Sequence, residues 1–160
     1  MPDYIPYDPG VLPSKHAPQA GEGFELTNVG LPPRKNRNQS IRNTTHPFYD
    51  RFVRLRASAV SLMDGRAPYR GIVGIELTMF CKELYRWDVL NEFMGGVMDT
   101  LDGSHGPTFT YLPIVYEDDC QVSMGHVAIQ LSREEYYILK VTFKHERERF
   151  GEQAAPCNTH

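Results

Sequence analysis

The chain is short of the features that settle a protein's class at a glance. Its three cysteines, Cys81, Cys120 and Cys157, make no CxxC and no paired framework. That argues against a disulfide scaffold or a thiolate metal site, and leaves free thiols in a reducing cytoplasm as the simplest expectation. No apolar run approaches the ~20 residues that cross a bilayer. The opening stretch, MPDYIPYDPGVLPSKHAPQAGEG, has no apolar core of the kind a secretory signal carries. His105, His126 and His145 are scattered without ligand spacing, which favours structural or surface histidines over a metal site. There is no internal repeat.

What is present is an ordinary globular composition, 41% hydrophobic and 23% charged over 160 residues, which suits one domain with a real core. The net charge of −3 speaks weakly against nucleic acid, but its distribution is uneven. From Phe24 to Arg70 there are nine Arg or Lys (Arg34, Lys35, Arg37, Arg42, Arg51, Arg54, Arg56, Arg66, Arg70) against three acids (Glu25, Asp50, Asp64), a local +6. Such a segment is either a footprint for phosphate or a solvated basic helix face.

Periodicity divides the chain into an N-terminal arm over 1–22, flexible or draped on the surface, a domain over 23–145 and a polar tail over 146–160. Phe24–Val29 reads as a strand, followed by a basic turn-rich loop, Leu31 to Asn38. Phe48, Phe52, Leu55, Ala59 and Leu62 recur at helical spacing, with Pro47 near the entry and Asp64-Gly65 as the stop. Gly71–Phe80 reads as a strand with Val73, Ile75, Leu77 and Met79 on one face. Asp88–Leu101 reads as a second helix, in which Gly95-Gly96 costs about 1 kcal/mol per glycine and so implies a close neighbour. Val122–Leu131 and Tyr136–Phe143 are two further strands. The order implies a mixed α/β domain, a small mixed sheet with two main helices on one face.

Two acidic stretches stand out. In Glu117-Asp118-Asp119-Cys120-Gln121-Val122, three consecutive carboxylates adjoin apolar residues. They repel one another unless a cation compensates them, and hard divalent cations take such all-oxygen ligands. The plainer reading is an acidic turn before a strand. In Asp88-Val89-Leu90-Asn91-Glu92, Asp88 is either a helix cap or a carboxylate that converges with Glu117–Asp119 on a metal and a scissile phosphate.

Four segments in order carry a resemblance: Leu31-Pro32-Pro33-Arg34-Lys35-Asn36-Arg37 after the first strand, the basic helix around Tyr49-Asp50-Arg51-Phe52, Ile75–Phe80 followed by Asp88 through Val97-Met98-Asp99-Thr100-Leu101, and Glu117–Val122. From about Phe24 to about Phe143 the chain resembles the RusA family of Holliday-junction resolvases, as a divergent member. The resemblance implies a homodimer that binds branched DNA and nicks four-way junctions with Mg²⁺ in recombination and repair. It implies Asp119 as a metal ligand with Asp118 beside it. The family also uses an Asp-x-Asp-Asn motif and a lysine one helical turn later. Anchoring on Met98–Leu101 puts those acids at Val89 and Asn91 and the lysine at Gly95. Anchoring on Asp88 keeps the first acid and Asn91, but puts Leu90 at the second acid and Met94 at the lysine.

Either way the second carboxylate and the lysine are missing, with Glu92, Glu117 or Asp88 as candidate substitute ligands. The expected site is therefore Asp119, Asp118 and Asp88 for catalysis, with Asp119, Asp88 and Asn91 around the metal. Arg34, Lys35, Arg37, Arg42, Arg51 and Arg54 are the expected DNA contacts. Magnesium is held weakly or not at all, and cleavage is weak or absent. The alternatives are an inactive RusA-fold DNA-binding protein, a subunit of a larger assembly, and a small interaction module with a basic face. The loop from Asp102 to Pro113 is longer than the family's usual connection, with Phe109 and Tyr111 as wedge residues or loop packing.

Overall fold

The computed structural model describes residues 13–36, 38–103 and 113–145. Four strands, β1 (Gly23–Val29), β2 (Ile72–Cys81), β3 (Val122–Leu131) and β4 (Tyr136–Lys144), form one sheet in the order β1-β4-β2-β3. β4 pairs antiparallel with both β1 and β2, while β2 and β3 run parallel. Parallel neighbours need a crossover. Here it contains the helix α2 (Trp87–Leu101). The other helix, α1 (Tyr49–Met63), joins β1 to β2, and both helices lie on one side of the sheet. The expected fold class and the order of elements both hold.

The core lies between the helices and the inward sheet face. Val73, Ile75, Leu77 and Met79 of β2 are fully buried, as are Leu139 and Val141 of β4 and Leu55, Ala59, Val97 and Leu101 of the helices. The α1 stripe is turned slightly from the expected one: Met63 is buried and Leu62 is exposed. Phe48 is the N-cap residue, so Pro47 stands one position outside the helix. Asp64 takes the left-handed conformation (φ 48°) and Gly65 follows at φ 77°, ending α1 as Asp64-Gly65 implies.

The Gly95-Gly96 pair has the close neighbour it implies. A Cβ on Gly96 would collide with the Pro33 carbonyl and lie 2.9 Å from Arg34 N, and one on Gly95 would lie 3.1 Å from Lys35 Cδ. The basic loop therefore lies directly on the backbone of α2, held by Lys35 N–H donating to the Glu92 carbonyl at 2.9 Å.

Part of the N-terminal arm is draped on the surface. Ser14 N and Lys15 N both donate to the Gly65 carbonyl (2.8 and 3.0 Å), and Gly21 N donates to the Phe143 carbonyl (2.7 Å). Residues 1–12 and the tail from 146 lie outside the described residues. Cys81 is a buried free thiol. Cys120 is disulfide-bonded, which corrects the expectation of free thiols throughout; Cys157 lies outside the described residues. Among the described residues no helix is long and apolar enough to cross a membrane.

Candidate metal centre

The paired-aspartate stretch forms a single turn of 3₁₀ helix, Asp119–Gln121, immediately before β3. Its side chains divide the labour. Asp118 caps the turn, its Oδ1 accepting from Cys120 N at 3.0 Å. The buried Gln121 side chain clamps the turn to the sheet. Its Oε1 accepts from Glu117 N and Asp118 N (2.8 and 2.9 Å), and its Nε2 donates to the Tyr69 and Gly71 carbonyls (2.8 and 2.9 Å). Asp119 is thereby aimed toward the C-terminus of α2. The chain comes back to that helix end through Ile114 N and Val115 N, which both donate to the Leu101 carbonyl. The Tyr116 hydroxyl sits 3.3 Å from both the Met98 carbonyl and Asp119 Oδ1.

The last turn of α2 carries Asp99, followed by Asp102 at the C-cap. Oxygens of Asp99, Asp102 and Asp119 lie within 4.8 Å of one another, a cluster that could hold a metal ion. The placement is electrostatically unusual. A helix C-terminus carries partial negative charge and favours cations, yet the last turn of α2 holds no base. Two cations arrive from the preceding loop. Arg42 Nη2 donates to the Asp99 and Gly103 carbonyls and lies 3.2 Å from Asp102 Oδ1. Lys35 Nζ is 3.7 Å from Asp99 Oδ2. Three carboxylates thus face two cations.

Burial outweighs those cations. It raises the Asp102 carboxyl far above the carboxylate range, with Asp119 opposite adding to the effect and Arg42 only partly opposing it. Burial also raises Asp99, against Lys35 and Arg42, and the Tyr116 hydroxyl, with Asp119 second. A bound divalent cation would reverse this preference, because ligand carboxylates must be deprotonated.

Of the expected acids, Asp119 is at the cluster and Asp118 is beside it, engaged in capping. Asp88 is not brought there. It lies at the opposite end of α2, with an exposed side chain paired to Arg86 at 3.3 Å. Asn91, in the turn that follows, is likewise remote, and Glu92 is paired to Arg34 at 2.6 Å. Eleven residues separate Asp88 from Asp99, roughly 16 Å of helix. Glu117 pairs with Arg70 at 3.1 Å. It is Asp99 and Asp102, not Asp88 and Asn91, whose side chains lie beside Asp119. The signal for them was in the sequence: acids three apart at a helix end that disfavours negative charge, with no base among them.

The expected phosphate contacts also separate. Arg42 points inward and braces the cluster. Arg34 and Lys35 lie along the loop over α2, Lys35 exposed. Arg51 stacks on the Phe48 ring, its guanidinium carbon 4.2 Å from the centroid, and Arg54 is exposed one turn further along α1. Arg37, Phe109 and Tyr111 lie outside the described residues. The apolar face of α2 around Phe93, Val97 and Leu101 is consumed by the chain's own core. No protein-family model matches the chain, and no curated protein matches it.

Proposed function

We propose that the chain is a RusA-like, Mg²⁺-dependent endodeoxyribonuclease of branched DNA, working as a homodimer, whose metal centre has moved to the C-terminal end of α2. The observation that carries this reading is the convergence of Asp99, Asp102 and Asp119 with Lys35 at its edge. An all-carboxylate donor set suits a hard cation such as Mg²⁺, which typically keeps several waters and shares its shell with substrate phosphate. Such a cation, when bound, supplies Lewis acidity and an activated water for attack on phosphorus. In the hydrolysis the water oxygen bonds to phosphorus, one backbone P–O bond breaks, and the leaving oxygen takes up a proton. Asp99 and Asp119 would hold the cation, the 3₁₀ turn fixes Asp119, and the Lys35 ammonium would offset charge on the phosphate. Arg34, Arg51 and Arg54 offer phosphate contacts around the same loop.

One observation favours a second reading, a RusA-fold DNA-binding or assembly subunit without cleavage. Arg42 already neutralises part of the cluster. The test is cleavage of a synthetic four-way junction by the full chain in Mg²⁺, beside Asp119→Asn, Asp99→Asn and Asp88→Asn. Mg²⁺-dependent nicking lost in the first two and kept in the third is the expected result. Nicking that survives Asp119→Asn would place the centre elsewhere. Junction binding without nicking would leave the second reading.

A further inference from the structure

A cavity of about 500 Å³ opens beside the basic loop, lined by Arg34, Lys35, Asn36, Asn38, Phe48 and Glu92, with Pro47 at its wall. That volume falls within the range of small-ligand sites. Its chemistry is specific. Phe48 is half-buried and presents its ring to the cavity; Arg51 lies over the ring with its guanidinium carbon 4.2 Å from the centroid and His46 packs against it at 5.7 Å, and neither lines the cavity. Asn36 and Asn38 bring two amides; the Asn36 Oδ1 already accepts from Asn38 N at 3.1 Å, which fixes that amide with its NH₂ as donor. Arg34 and Lys35 bring positive charge, of which Glu92 offsets part. A stacking platform, amides for base edges and cations for phosphate are what recognition of an unstacked nucleotide requires.

We propose that this cavity takes one unpaired nucleotide of the DNA strand being cut, its base against Phe48 and its edge read by Asn36 and Asn38. The inference rests on the DNA reading above and adds a selective subsite to it. The cavity is connected to the acidic cluster by shared structure. Lys35 lines the cavity and reaches Asp99, and Glu92 and Asp99 lie seven residues apart on α2, two turns on one face and roughly 10 Å. A strand crossing from cavity to cluster therefore needs only a nucleotide or two. A four-way junction, whose pairing is weakest at the branch point, yields such a nucleotide at low cost, since unstacking takes a few kcal/mol and less where pairing is already broken.

The test uses the full chain in Ca²⁺ with four-way junctions in which 2-aminopurine replaces a single base, stepped outward from the branch point. One position should change in fluorescence at least twofold on binding. Phe48→Leu, which keeps an apolar side chain at the α1 entry, and Asn36→Ala with Asn38→Ala, which lie in an exposed loop, should each abolish that change while junction binding at low salt persists. Junction binding with no responsive position, or a response that both variants retain, overturns the subsite and leaves the DNA reading standing. Absence of junction binding at low salt overturns both.

Discussion

The stem of Lys35 lies on the backbone of Gly95, its Cδ 3.1 Å from where a Cβ would stand, and its ammonium ends 3.7 Å from Asp99 Oδ2. Gly95 is the position onto which one alignment with the RusA family carries that family's lysine. A cation is therefore present over this turn of α2, supplied by the loop instead of the helix. Glycine is what lets the loop come so close.

The two glycines should respond differently to alanine. On Gly96 the new methyl meets backbone, the Pro33 carbonyl and Arg34 N, and backbone cannot step aside, so Gly96→Ala should lose about 1–3 kcal/mol. On Gly95 it meets a flexible side chain, and alanine gains about 1 kcal/mol of helix propensity. Gly95→Ala should hold or raise stability while displacing Lys35, lowering cleavage. Urea melts of both variants check the first claim. Equal losses would show that the loop is not seated on α2 as described.

Gln121 should prove to be the least replaceable polar side chain of the paired-aspartate stretch. Four backbone groups depend on it, and unpaired buried groups cost about 1–3 kcal/mol each. Gln121→Glu keeps the acceptor toward Glu117 N and Asp118 N, but sets an acceptor against the Tyr69 and Gly71 carbonyls. A loss of at least about 2 kcal/mol is expected, with metal affinity falling as Asp119 loses its mounting. Asp88→Asn, on an exposed side chain, should stay within about 0.5 kcal/mol. A tolerated Gln121→Glu would refute the clamp.

Much of the fold was legible because each element obeys one period. The strands of Val73–Met79 and the stripe of Phe52, Leu55 and Ala59 need only alternation and 3–4 spacing. The acidic cluster was only half legible. Asp119 could be read from its motif, but Asp99 and Asp102 join it because the chain returns to the Leu101 carbonyl through Ile114 and Val115, a long-range contact without local signature. Asp88 was attractive for the opposite reason: a helix start is visible in sequence, but the direction a helix runs from it is not.

Alkaline pH should destabilise the fold in two overlapping steps. Burial pushes the Cys81 thiol up from 9.0 to about 11, and burial pushes the Tyr137 hydroxyl up from 10.0 to about 12 against a hydrogen bond from Asn28. Both are neutral when folded. Above their ordinary values the unfolded chain releases protons that the folded chain retains, so stability falls as pH rises. The Cys81 contribution should be whole below pH 9 and be lost from 9 to 11, and the Tyr137 contribution should be lost from 10 to 12. Cys81→Ala should delay the onset by about one pH unit, whatever its effect on stability at neutral pH. Chemical denaturation across pH 8–12 is the measurement, and an unchanged onset would deny Cys81 its part.

Arg42 and a metal ion should substitute for one another. The Arg42 guanidinium is part-buried and holds Asp102 together with two carbonyls at the end of α2. Removing Arg42 orphans the two carbonyls, at about 1–3 kcal/mol each where they stay buried, and takes away the cation that opposes the upward push of burial on the Asp102 carboxyl. Arg42→Met should therefore melt well below the parent in EDTA. Part of that loss reflects the two carbonyls, which no ion at the carboxylates restores. The remainder reflects the lost cation beside Asp102, Asp99 and Asp119, and a divalent cation can replace it by binding only the folded chain. The rise in melting temperature from EDTA to millimolar Mg²⁺ should thus be larger in Arg42→Met than in the parent. Arg42→Lys, which keeps a charge, should fall between them, and Arg42→Met combined with Asp119→Asn should lose the response. A Mg²⁺ response of equal size with and without Arg42 would mean that guanidinium and metal do not share these carboxylates, and that the cation binds elsewhere.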